Sequence, residues 1–150
     1  MVKVQNRSVE AFLDQPQTGI IAVLLYGEDG GLGRERAGRI AAAVVDDPND
    51  PFRVAEISAA MLKDEPSRLL DEMTALSLTG GRRLVRLGRA GNAYSAGIEA
   101  VLDDPAAAEN GSLLLVEAAS LAPRDSLRKL FESHDRAAAI PCYLDDGRSL

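Results

Sequence analysis

The sequence predicts an α/β domain: a five-stranded parallel sheet with helices on both faces. Two observations predict it. Five short strand-like runs recur along the chain; residues 20–26 and 112–118 read as strands buried on both faces, and residues 83–87 alternate. Between them lie segments with helical spacing and short loops, and strict alternation of that kind favours right-handed βαβ crossovers. The 150 residues suit a single domain. Aromatics make up only 4% and there is no Trp, so the core must come from Leu, Val, Ile and Ala.

Residues 9–13 read as a short leading helix capped by Ser8. Residues 20–26 form the first strand, followed at once by the loop Gly27-Glu28-Asp29-Gly30-Gly31. Ala37, Ile40, Ala41 and Val44 then fall at i, i+3, i+4 and i+7 of a helix. After an Asp/Asn/Pro turn, residues 52–57 read as the second strand. Pro66 opens a helix whose apolar stripe is Leu69, Leu70, Met73 and Leu76, ended by Thr79-Gly80-Gly81. Residues 83–87 are the third strand and residues 96–102 a short helix. Residues 112–118 are the fourth strand. Pro123 starts a helix with Leu127, Leu130 and Phe131 on its apolar face, and residues 137–143 close the sheet. Residues 144–150 read as a linker.

Charge and composition exclude several classes. The net charge of −6 argues against coating a phosphate backbone, so contact with DNA would be local or indirect. No apolar run is long enough to cross a bilayer. One cysteine, Cys142, forbids an internal disulfide and fits a reducing, cytoplasmic setting. His134 and Cys142 are too few for a His/Cys metal site, and neither a metal nor a cofactor is expected. His134 reads as a solvated helix-end residue and Cys142 as a small apolar filler.

The loop after the first strand is where an open α/β sheet holds a ligand. A phosphate-binding loop needs G-x-x-x-x-G-K-[ST], with the Lys on the terminal phosphates and the hydroxyl on Mg²⁺. Here Gly27 is followed five places on by Leu32, and Gly33 precedes Arg34 and Glu35. Gly27, Gly30, Gly31, Gly33 and Arg34 therefore read as a degenerate nucleotide loop without catalytic residues. Glu28 and Asp29 would also repel a phosphate. Leu113-Leu114-Leu115-Val116-Glu117 is a strand ending in an acid, but Glu117 has no metal-bound phosphate to act on.

Arg82, Arg83, Arg86 and Arg89 make a basic stretch, expected as charge along an edge strand or as an anionic-partner surface. Leu76 and Leu78 cannot share one helical face, because i and i+2 lie about 200° apart. Leu78 is either tucked beneath the helix end or an exposed anchor for a partner.

Several segments together resemble the delta subunit of bacterial DNA polymerase III. Leu24-Leu25-Tyr26-Gly27-Glu28-Asp29, with Leu32 and Arg34-Glu35, is similar to its start. Leu76-Ser77-Leu78-Thr79-Gly80-Gly81-Arg82-Arg83-Leu84-Val85 is similar to its clamp-contact segment and the next strand. Leu113-Leu114-Leu115-Val116-Glu117 and residues 120–131 resemble the strand, loop and helix beyond. The resemblance runs from about residue 20 to residue 143. It implies a P-loop NTPase/AAA+-like three-layer sandwich over residues 1–143, with no ATP hydrolysis of its own. It implies a clamp-loader subunit that binds the ring-shaped sliding clamp and opens it. In the family a Leu-Phe pair at the helix end enters a pocket on the clamp. Leu78 matches the Leu, with Leu76 beside it, and Thr79 stands where Phe is common, which reduces the apolar area offered. The resemblance also implies that residues 144–150 lead to helical domains that contact the other loader subunits. Two alternatives stay open from the residues themselves: a nucleotide-binding enzyme with an atypical loop, and a non-catalytic docking domain.

Overall fold

The computed structural model describes residues 19–76 and 81–143. Five strands, β1 (Ala22–Tyr26), β2 (Val54–Ile57), β3 (Leu84–Leu87), β4 (Leu113–Ala118) and β5 (Ala137–Pro141), form one sheet. Its order is β2-β3-β4-β1-β5 and every pairing is parallel. The expected α/β class and strand count are both present. The leading helix and the linker lie outside the described residues.

Six α-helices connect the strands among the described residues: α1 (Gly30–Val44), α2 (Ala59–Asp64), α3 (Arg68–Thr74), α4 (Ser95–Asp103), α5 (Pro105–Asn110) and α6 (Ser126–Ser133). A 3₁₀ turn, Asn92–Tyr94, leads into α4. The helices divide unevenly between the faces. α1 covers one face, where Ala37, Ile40 and Ala41 meet Val23, Leu25, Leu115 and Ile140. Residues of α2 to α6 pack on the other, around Leu24, Tyr26, Val85, Leu114 and Val116. β1 and residues 113–116 of β4 are buried on both sides and have no polar-facing register, which is why these runs do not alternate.

The structure corrects several boundaries. α3 ends at Thr74, so Leu76 lies beyond the helix, 80% exposed, and is not part of its apolar stripe. Pro66 and Pro123 sit in turns that precede α3 and α6 rather than in their first turns. Asp125 caps the entry to α6, and its carboxylate accepts from the Ala122 N–H instead. The strand carrying Arg83 and Arg86 is not an edge. β3 lies between β2 and β4, so its arginines do not guard an unpaired edge.

Candidate functional site

Two places were expected to matter, and they lie at opposite ends of the sheet. The loop after β1 is at the carboxyl ends of the strands, whereas the segment after α3 leads into the amino end of β3.

Only Gly27, Glu28 and Asp29 separate β1 from α1. Gly30, Gly31, Gly33 and Arg34 belong to the first turns of the helix, not to a wrapped loop. Asp29 is the helix N-cap, and its Oδ1 accepts from the Leu32 N–H at 2.9 Å. A carboxylate thus occupies the electropositive helix end that a phosphate would need. The chain itself takes up further donors. The Asp29 N–H donates to the Cys142 carbonyl at 3.0 Å and the Gly27 N–H to Ala119 at 3.2 Å. Arg36 donates to the Pro141 carbonyl at 2.6 Å. An open cleft of about 460 Å³ remains above this loop, with Asp29, Arg34, Arg89 and Glu117 on its walls.

Glu117 lines this cleft, but its carboxylate is already paired. Its carboxylate pairs with Arg86 at 2.9 Å across β3 and β4, on the face that α1 covers. Arg89 is exposed and has a left-handed backbone, φ 53°. Cys142 is buried as expected, and burial pushes its thiol pKa up. His134 does cap the end of α6, but it is half-buried rather than solvated. Its Nε2 lies 2.8 Å from Asp103 and its Nδ1 accepts from the Arg136 N–H at 3.1 Å. That pairing places the ring proton on Nε2 in the neutral tautomer.

The end of α3 is held by side chains from elsewhere. Arg83, buried, donates to the Glu72 carbonyl at 2.7 Å and to its carboxylate at 2.9 Å. Arg68 approaches the same carboxylate from one turn back, at 3.0 Å. Burial pushes the Glu72 pKa up, but the hydrogen bonds from Arg83 and Arg68 outweigh it and hold the carboxyl below its ordinary value. Asn110 donates to the carbonyls of Met73 and Ala75. Arg82 donates to the Gly111 carbonyl at 2.7 Å, and Arg53 to the Arg82 carbonyl at 2.7 Å. The basic stretch is thus built into the scaffold through Arg82, Arg83 and Arg86. Leu76 follows this held end as an exposed apolar side chain, while Leu78 and Thr79 lie outside the described residues. Phe52, 59% exposed just before β2, is at the same end of the sheet and was not singled out in the sequence. Neither was Asn110, although Asn110-Gly111 has the form of a helix terminus.

No family model matches the chain, and no curated protein matches it in sequence. Solved structures do. A DNA clamp loader delta protein from Bacillus subtilis superposes with a TM-score of 0.71 at 19% identity, covering 93% of this chain and 42% of that one. The chain shares its α/β fold with that protein. A DNA polymerase III gamma subunit-related protein from Thermotoga maritima superposes with a TM-score of 0.58 at 15% identity, covering 95% of this chain and 47% of its own. The parallel-sheet α/β architecture is therefore shared with both, and the chain spans less than half the length of either. Among the described residues no group of metal-ligating side chains is assembled and no helix is long and apolar enough to cross a membrane.

Proposed function

We propose that this chain is a clamp-loader delta-type module that binds a ring-shaped sliding clamp through the tip following α3 and helps to open it, without hydrolysing ATP itself. The observation that carries the reading is Leu76, 80% exposed, at the end of a helix held by Arg83 and Asn110, on a fold shared with a clamp loader delta protein. Leu78 is the principal apolar anchor on this reading, with Leu76 and Thr79 beside it. The partner chemistry is a hydrophobic pocket on the clamp surface. Work from ATP comes from sister subunits, contacted through parts of the protein beyond this domain, in the cytoplasm, and DNA is met only through the assembly.

The physics needs no chemistry in this domain. A partner that binds the open ring better than the closed one shifts the population toward open. Moving a closed:open ratio of about 99:1 to about 1:99 takes about 5.5 kcal/mol of differential affinity. A buried leucine anchor is worth about 1–3 kcal/mol. One side chain is thus too little, and the anchor must act as part of a wider surface.

Titration calorimetry of the chain with the purified sliding clamp of the same organism tests this. Leu78→Ala is expected to weaken binding by about 1–3 kcal/mol. Absence of any binding at about 100 µM clamp would defeat the reading, and unchanged affinity in the Leu78 variant would remove that residue from the contact.

A further inference from the structure

We infer that Asn110 is a positioning residue that fixes the tip carrying Leu76. In a helix of seven residues such as α3 the last four carbonyls lack an intrahelical backbone partner. Those of Glu72 and Met73 find side-chain partners outside the helix. Asn110 Nδ2 lies 2.9 Å from the Met73 carbonyl and 3.0 Å from the Ala75 carbonyl, and 3.0 Å from Ser112 Oγ. The Ala75 carbonyl belongs to the peptide unit whose N–H is that of Leu76, so this bond orients the Leu76 backbone directly.

The turn that provides Asn110 also holds the other arm of the segment. Gly111, at φ 79°, closes α5 in the left-handed region and offers its carbonyl to Arg82 Nε at 2.7 Å. Ser112 is buried beside it, and β4 begins at the next residue. Residue 75 and residue 82 are therefore tied to adjacent positions of a single turn, which is anchored in a central strand. Arg83 also holds α3, but it is buried and paired with Glu72, so its loss would disturb the core. Asn110 is only half-buried and acts nearest to the tip. An aspartate would keep its shape and lose both N–H donors, placing a carboxylate against two carbonyls.

The functional consequence rests on the clamp-binding reading, and the experiment separates the two. Backbone ¹⁵N relaxation and clamp affinity are measured on the full chain for the wild type, Asn110→Asp, Asn110→Ala and Leu76→Ala. In both Asn110 variants the Leu76 amide order parameter is expected to fall from about 0.8 to below about 0.6, with β1 and β4 unchanged. Clamp affinity is expected to fall about tenfold in both, while Leu76→Ala loses affinity with the order parameters of the wild type. An unchanged Leu76 order parameter in Asn110→Asp would overturn the inference. So would a loosened tip that binds clamp like the wild type while Leu76→Ala binds weakly. A wild-type chain that binds no clamp would defeat the clamp reading alone, and the order parameters would still decide whether Asn110 holds the tip.

Discussion

Gly27 has a backbone φ of 144°, a region that residues with a Cβ rarely adopt. A Cβ there would also collide with the Cys142 carbonyl. That contact is no accident of packing, because the same stretch is stitched to the loop twice. The Cys142 N–H donates to the Tyr26 carbonyl at 2.6 Å and its carbonyl accepts from Asp29. Gly27→Ala is accordingly expected to cost about 2–4 kcal/mol, from backbone strain and displacement of the end of β5. Urea denaturation of the two proteins measures it, and a loss under about 0.5 kcal/mol would show that the loop can yield. The sequence marked Gly27 as special by its place after an apolar strand. It could not say why, because the residue that crowds it is more than a hundred positions away. The reason turns out to be approach by the chain's own backbone, where a ligand would lie in a phosphate loop.

At the level of elements, α3 shows how a short helix becomes a fixed platform. Its end is anchored by the Glu72–Arg83 pair, whose side chains are 18% and 10% exposed. The Glu72 carboxyl titrates below its ordinary value of 4.5 in the fold. The unfolded chain therefore binds that proton first, so the stabilisation is complete above the unfolded value and is lost as pH falls through the lower folded one. Glu72→Gln should be less stable than the wild type at neutral pH and should lose less stability on acidification over that window. Urea unfolding at a series of pH values from neutral downward would reveal this, and parallel curves for the two proteins would rule it out. β1, β4 and β5 were legible because four or more consecutive apolar residues leave little else for the chain to be, and β3 because its apolar residues are spaced by arginines at 83 and 86. α2 and α5 escaped notice because each has six residues, too few turns for a 3.6-residue period to register. Their caps were nonetheless written in the sequence, in Ser58 and in Asp104-Pro105. Strand order was not legible. Arg83 and Arg86 looked like edge charges since periodicity gives a strand's faces but not its neighbours, and β3 is central.

For the whole molecule, the decisive matter is which end of the sheet does the work. The order β2-β3-β4-β1-β5 places β1 between two late strands, which opens a crevice at the carboxyl ends where ligands of such sheets lie. Missing Lys and Ser/Thr residues were readable in the sequence and argued against hydrolysis there. Three further facts needed the fold: a three-residue link between β1 and α1, a carboxylate capping α1, and the Cys142 carbonyl taking the Asp29 N–H. Together they leave too short a loop to wrap a triphosphate and put negative charge where the phosphate should be. Arg34 and Arg89 face the same cleft, yet Asp29 and Glu117 share its walls. We therefore expect that about 1 mM MgATP shifts the melting temperature by less than about 0.5 °C. A site with a dissociation constant near 10 µM would add about 2.7 kcal/mol at that concentration, equivalent to roughly 5–10 °C for a domain of this size. Differential scanning fluorimetry with and without MgATP distinguishes these outcomes by more than its error. A shift of several degrees that disappeared in Arg34→Ala would return the crevice to the status of a nucleotide site. It would then favour the enzyme reading over one in which the domain acts only through the partner it grips at the opposite end.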